Sequence, residues 1–357
     1  MQSLYDLVNS NAIAEYVVEI QSNAIPYLGE ALFPNAKKQG LNLEWIVGYN
    51  SLPVALMPSA LDAKPTLRDR IGASSVETEM PFFRESMRIG EKDRQNLLIF
   101  IEANKNQYAY QTVMKIFDDV NNLVEGAKVQ SERMRMSILT SGSIDITAPD
   151  EKGVNVSYKY NYDKNGKWAA NNKVKLTNST DKWTDHTNSK PITDILNIKR
   201  KAAGRGVVIR KAILTTKTWM DLMENASIKN DMNVTEGQKI IMTDSLLQTY
   251  LLSKTGISFT VYDKMYKDEA GVEKAFYPDN QVTFIPDGTL GKTWYGTTPE
   301  EADLMSGNTL AEVSIVNTGI AITTIKEAVP VNIMTVVSQI TLPSFERMAD
   351  VFNLITA

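Results

Sequence analysis

The sequence contains no cysteine. That absence excludes disulfides, thiolate nucleophiles and cysteine-ligated zinc or iron within the chain, so stability must come from packing or from assembly. Histidine is almost as scarce. The single imidazole, His186, lies in TDHTNSK between Trp183 and Pro191. One imidazole cannot build a histidine-rich metal site, and its polar, turn-rich surroundings predict a solvated loop residue. Long apolar runs are missing too: none approaches the roughly 18 residues of a membrane span, and the first residues carry no basic-then-apolar segment. No membrane partner and synthesis in the cytosol are therefore expected. Nor is there an excess of one charge. With 38 basic and 42 acidic residues interspersed, the net charge of −4 offers no electrostatic grip on nucleic acid.

Catalytic signatures are absent in the same way. The chain has no GxSxG, no HExxH and no glycine-rich dinucleotide fingerprint. Its adjacent carboxylates, Asp118 with Asp119 and Glu300 with Glu301, point to different faces of any helix and read as solvated charges. The strongest lure is PDGTLGKT at 286–293, whose GKT ends like a phosphate-binding loop. The first glycine of that motif is replaced by Pro286, which offers no N–H. A phosphate loop also needs a helix directly after GKT to supply donors and a favourable dipole. Gly296 and Pro299 follow Thr293 instead, so PDG reads as a turn, and neither a cofactor nor an enzymatic activity is expected.

What is present is enough chain, 357 residues, for two or three folding units. Ser10 or Asn11 can cap a short helix whose Ile13, Tyr16, Val17 and Ile20 share one face. Pro26, Gly29, Pro34, Gly40 and Gly48 then break regular structure repeatedly, so the first fifty residues read as an arm. Between 51 and 100, Pro53, Pro58, Pro65 and Pro81 exclude a central strand and suggest an extended two-stranded ribbon. Such a ribbon is marginal alone in water. Met80, Phe82 and Phe83 accordingly need a surface that this segment does not contain.

The longest helical signal runs over 107–141. Val113, Ile116, Phe117, Val120, Leu123, Val124 and Ala127 form one stripe, which Met134 and Ile138 extend to a stop at Gly142. Period-two alternation follows at Val154, Val156, Tyr158, Tyr160 and Tyr162, and DKNG is expected to turn a β-hairpin toward Trp168. The same stretch places Asn161, Asp163, Asn165 and Gly166 at the early positions of a calcium loop. Asn172 stands where a bidentate glutamate is needed, which favours the plain turn.

Residues 191–290 alternate capped helices with apolar strands, as an α/β unit does. Its one basic cluster, Lys199, Arg200, Lys201 and Arg205, reads as a solvated helix face rather than a phosphate contact. VSIVNTGIAITTI and PVNIMTVVSQITLP close the chain as long β segments, expected to pack on the long helix and bury its stripe.

Several strings resemble the phage major capsid proteins of the HK97-like fold, in the branch of the lambda-type major head protein, the capsid protein E family. They are LGEALFPNAKKQGLNLEWIVGYNSLPV, FYPDNQVTFIPDGTLGKTWYG, EEADLM and SQITLPSFERMADVF. The resemblance covers nearly the full length and implies an α+β fold. Its parts would be an N-terminal arm (1–50), an extended E-loop (51–100), a P-domain spine helix (101–143), a β-hairpin excursion (144–190), an A-domain (191–312), and P-domain strands with the C-terminus (313–357). It further implies self-assembly as hexamers and pentamers into the icosahedral head of a tailed phage, with scaffold, portal and decoration proteins as partners and double-stranded DNA enclosed without sequence-specific binding. The location implied is the virion, after assembly in the host cytoplasm. Ile13, Val17, Ile20, Met80, Phe82 and Phe83 become the expected inter-subunit contacts. Some shells of this fold crosslink a lysine to an asparagine; Lys64 and Lys92 in the loop read as ordinary surface lysines. An encapsulin-like nanocompartment subunit is the alternative with the same fold.

Overall fold

The computed structural model describes residues 11, 13–16, 27–47, 74–92, 95, 99, 106–149, 155–232, 241–307, 312–328 and 331–357. Their contacts divide the chain into two compact units. The first takes its residues from Met1–Glu44, Glu77–Arg135 and Gly291–Ser344, the second from Trp45–Val76, Met136–Leu290 and Phe345–Ala357. Val17, Ile20, the proline-rich centre of the ribbon and Lys64 fall outside the described residues.

The first unit is organised around one strand. β16 (Val331–Pro343) is rich in β-branched residues and runs for 13 residues, so it can serve several neighbours in turn. On one side it pairs antiparallel with β15 (Ile320–Ala328), from Ile320↔Gln339 to Ala328↔Val331. β14 (Glu312–Val316) extends the sheet beyond β15. On its other side β16 takes first β4 (Phe82–Arg88), from Met334↔Arg88 to Ile340↔Phe82. It then takes β13 (Thr293–Tyr295), to which β1 (Asn35–Lys37) adds in parallel.

Alternation along these strands selects a face for each side chain. Val316, Ile320, Ile322, Ile333 and Val337 point to one face and form a core with Phe117, Val120 and Val124 of the long helix α2 (Asn106–Ser141), together with Ile13 and Ile89. Among the described residues of the stripe read from the sequence, Phe117, Val120 and Val124 are buried and Leu123 and Ala127 pack against them. At 1.5 Å per residue, α2 is about 54 Å long. Its 36 residues end where the sequence placed the stop: Gly142 adopts φ +78° and its N–H closes the last turn on the Ile138 carbonyl at 3.0 Å. A short helix, α1 (Leu28–Leu32), precedes β1.

The second unit holds a five-stranded sheet in the order β7 (Lys173–Lys175), β17 (Phe352–Ile355), β12 (Gln281–Pro286), β8 (Ile209–Leu214) and β9 (Ser258–Val261). Its core gathers Ile209, Leu214, Phe259, Val282, Phe284, Phe352 and Leu354 from the strands with apolar faces of α4 (Pro191–Ala203), α5 (Thr216–Glu224) and α7 (Asp244–Thr255). The helix ends follow the sequence signals. Pro191 opens α4, the Thr243 hydroxyl accepts the Leu246 N–H at 3.4 Å, and Gly256 at φ +68° closes α7. Central β12 is buried at all six positions, and its two polar side chains are hydrogen-bonded, Gln281 donating to the Thr140 carbonyl at 3.3 Å and Thr283 to Asn353 Oδ1 at 2.6 Å.

The two long closing segments pack on α2 as expected, while the last strand, β17, lies in the sheet of the second unit, paired with β12 from Gln281↔Ile355 to Phe284↔Phe352. One expectation is corrected: DKNG does not turn a hairpin. The hairpin is β5 (Ser143–Pro149) with β6 (Asn155–Asn161), which lies before it. DKNG instead starts α3 (Lys167–Asn172), because Asp163 accepts the Trp168 and Ala169 N–H groups at 3.0 and 2.8 Å while Gly166 adopts φ +65°. The carboxylate expected at a calcium loop is therefore engaged as a helix cap. Asn172 is turned inward, donating to the Val351 carbonyl at 2.8 Å.

Gly142 and Gly166 separate two effects. Both have positive φ, but a Cβ at Gly142 would lie 2.9 Å from Trp168 Cζ3 and Met348 Cε, whereas nothing lies within 4 Å of one at Gly166. Gly142→Ala should cost about 2–4 kcal/mol from strain plus overlap, and Gly166→Ala only about 1 kcal/mol from strain. Urea unfolding of the unassembled chain measures both; equal losses would refute the packing role of Gly142.

Candidate functional site: a buried polar junction and two clamped segments

Glu132 and Arg135 sit one turn apart on α2 with 0% and 3% relative exposure. Charges taken out of water must be paired and hydrogen-bonded. The Gly29 N–H donates to Glu132 Oε1 at 2.9 Å, and Arg135 Nη1 approaches Glu132 Oε2 at 3.4 Å. Arg135 Nε donates to Thr293 Oγ1 at 2.8 Å and its Nη2 to Asn35 Oδ1 at 2.5 Å. The Thr293 hydroxyl in turn donates to the Phe33 carbonyl at 2.8 Å. One ion pair thereby ties α1, β1 and β13 to the long helix. A Cβ at Gly29 would run into the Glu132 carboxylate, so this approach needs glycine. Burial, with the Glu125 and Glu132 carboxylates adding to it, pushes the nearby Tyr27 phenol well above its usual range.

This junction answers the question raised by PDGTLGKT. Thr293 is fully buried and opens strand β13, with its N–H donating to the Pro34 carbonyl at 3.0 Å. Lys292 donates its backbone N–H to Ser344 Oγ at 3.1 Å, and its ammonium lies 5.4 Å from the centre of the Trp294 ring. Gly291 is pressed against the Ser344 carbonyl, leaving no cradle for a phosphate.

A second set of contacts surrounds α8 (Pro299–Ser306), whose N-terminus is capped by the Thr298 hydroxyl. Glu300 meets Arg84 on β4 and accepts the Ser338 hydroxyl of β16 at 2.8 Å. Glu301 meets Lys37 of β1 at 2.5 Å. The adjacent carboxylates do splay, as their spacing requires. They are not solvated, however, since each side chain is only 12% exposed, and each clamps a different segment.

The residues expected to wait for a neighbouring copy are placed as follows. Ile13 is fully buried in the α2 core and Met80 is 3% exposed. Phe82 and Phe83 are half-buried on β4, opposite Ile340 and Gln339, and the Arg84 guanidinium lies 4.9 Å from the centre of the Phe82 ring. β4 in this segment is paired with β16, more than 240 residues later in the chain. His186 also departs from expectation. Its Nε2 lies 3.0 Å from Asp221 and its Nδ1 3.2 Å from Glu224, and its carbonyl accepts the Ala226 N–H at 2.7 Å. In the basic cluster, Lys199 donates to the Thr255 carbonyl at the end of α7, and Arg205 donates to Asn172 Oδ1 and lies over the Phe352 ring. Half of that cluster is structural.

Sequence reasoning missed the Glu132–Arg135 junction. Its one signal was two charges three apart inside SERMRMSIL, where Met134, Met136 and Ile138 are all buried. Glu132→Ala strands the Arg135 guanidinium and the Gly29 N–H, and should destabilise the unassembled chain by about 3–5 kcal/mol. Glu301→Ala, which breaks a partly exposed pair, should cost no more than about 1 kcal/mol. The two denaturation midpoints decide: comparable losses would show that burial of the junction is not what matters.

The comparisons with known proteins agree with this architecture. The family model described as phage major capsid protein E matches residues 9–355. A prophage protein of E. coli CFT073 assigned as a capsid protein superimposes with a TM-score of 0.61 at 16% identity, covering 98% of this chain and 99% of its own. A phage-related protein of Bordetella bronchiseptica RB50 gives 0.55 at 12% identity, with 97% and 96% coverage. A chain of the cyanophage A-1(L) capsid asymmetric unit gives 0.50 at 11% identity, with 94% of each chain covered. No curated protein matches the sequence. At these identities the structures share the fold, which is HK97-like; the family match supplies the role and lends no support to the nanocompartment alternative. The chain belongs to the phage major capsid protein E family and is a subunit of a phage head shell.

Proposed function

We propose that this chain builds the icosahedral head of a tailed phage as hexamers and pentamers around double-stranded DNA. The observation that carries this reading is the family match across residues 9–355. In this scheme residues 1–50 act as the arm and 51–100 as the E-loop, both reaching over neighbouring copies. Residues 101–143 and 313–357 serve the P-domain, 191–312 the A-domain, and 144–190 form an excursion. The described contacts hold Ile13, β1 and β4 within their own subunit through the α2 core, Arg135, Glu300 and Glu301, and in this proposal Val17 and Ile20 contact sister copies.

Anchored strands reduce the ordering cost of each intermolecular contact, and many weak contacts in one shell add to a durable whole. The mild net charge of −4 suits a container that holds packed DNA without gripping it. Scaffold, portal and decoration proteins complete the partners, assembly takes place in the host cytoplasm, and the role is structural rather than catalytic.

Expression of the chain alone and with its scaffold tests the reading by electron microscopy and light scattering. Closed shells are the expected outcome, whereas a single species of monomer mass under both conditions would overturn it. Arg84→Glu, which sets like charges against Glu300 at the E-loop base, should lower shell yield at least tenfold while far-UV circular dichroism of the unassembled chain stays unchanged.

A further inference from the structure

We infer that β14 pairs with the β14 of a second copy, joining the sheets of two first units edge to edge; this rests on the shell reading and adds a specific contact to it. β14 is a terminal strand of its sheet, and among the described residues β15 is the strand it pairs with. Natural edge strands are normally blunted by lysine, proline or an inward charge. β14 reads EVSIV and carries none of these, its one charge being Glu312 at the exposed start.

The side chains favour the same contact. Val316 points into the α2 core, so Ile315 lies on the opposite face of the sheet and is 40% exposed. That is the face on which Ser338 meets Glu300 of α8, and α8 packs beside β14 and β15. Leu304 and Met305 of α8 are 41% and 66% exposed. An open strand edge therefore has apolar side chains around it, on a protein whose copies are held together in a shell.

A second copy fits this edge by symmetry. Antiparallel pairing about the middle of the strand sets Val313 opposite Ile315 of the partner subunit and Glu312 opposite Val316 of the partner subunit. No like charges then oppose one another, and β-branched residues meet across the seam. The contact is isologous, so each such pair links two copies about a local two-fold axis.

Two measurements test it. Hydrogen exchange on the unaltered protein compares the unassembled chain with assembled particles; amides in 312–316 should exchange at least tenfold more slowly in particles. Because the chain has no cysteine of its own, particles built from equal amounts of Val313→Cys and Ile315→Cys chains should give disulfide dimers on oxidation. Particles of Val208→Cys, an exposed site in the second unit, should not. Unchanged exchange overturns the inference. Slower exchange without the 313–315 crosslink also overturns it, since some other segment then covers the edge. If the unaltered chain forms no particles at all, the shell reading itself fails, which is a different result from particles whose β14 edges stay open.

Discussion

A carboxylate at 0% exposure is tolerable only if donors surround it, and in this protein Glu132 recruits them from segments far apart in the chain. Arg135 neutralises it, and two further donors of that guanidinium go to Asn35 and Thr293. The requirement works in both directions. The ion pair is satisfied only with α1, β1 and β13 in place. Three-residue strands and a five-residue helix are weak by themselves. The buried polar network ties them to the long helix, in addition to the pairing of β13 with β16 and β1 and the Lys37–Glu301 clamp.

The same logic recurs at α8, in a milder form. Two neighbouring carboxylates project to different sides and fasten β4 and β1, the strand that follows α1. Both clamps join elements of the first unit that are distant in sequence, and Met80 and Ile13 are likewise covered by the chain itself.

Much of the architecture was legible from periodicity and caps. The stripe from Phe117 to Val124, the stop at Gly142, the cap at Thr243 and the buried run QVTFI all appear where local chemistry puts them. What escaped was pairing between distant residues. DKNG has the composition of a hairpin turn, yet the two oxygens of Asp163 find N–H groups at the start of a helix. His186 and Glu300 have polar neighbours in sequence, so they read as solvated; their partners lie 35 and 216 residues away. Met80 looked uncovered because β4 and β16 meet only after the whole second unit has been traversed.

The sequence by itself determined the kinds of element, most of their ends, the exclusion of cysteine chemistry, and, through long matching strings, the family. Those properties depend on neighbours within a few residues or on similarity, both of which can be read along a line. Tertiary structure alone decided that Thr293 opens a strand at a buried polar junction, that β17 pairs with β12, and that the paired glutamates act as clamps. The physical reason is that burial and charge pairing are set by which surfaces meet in space, and the identity of a residue does not contain that information.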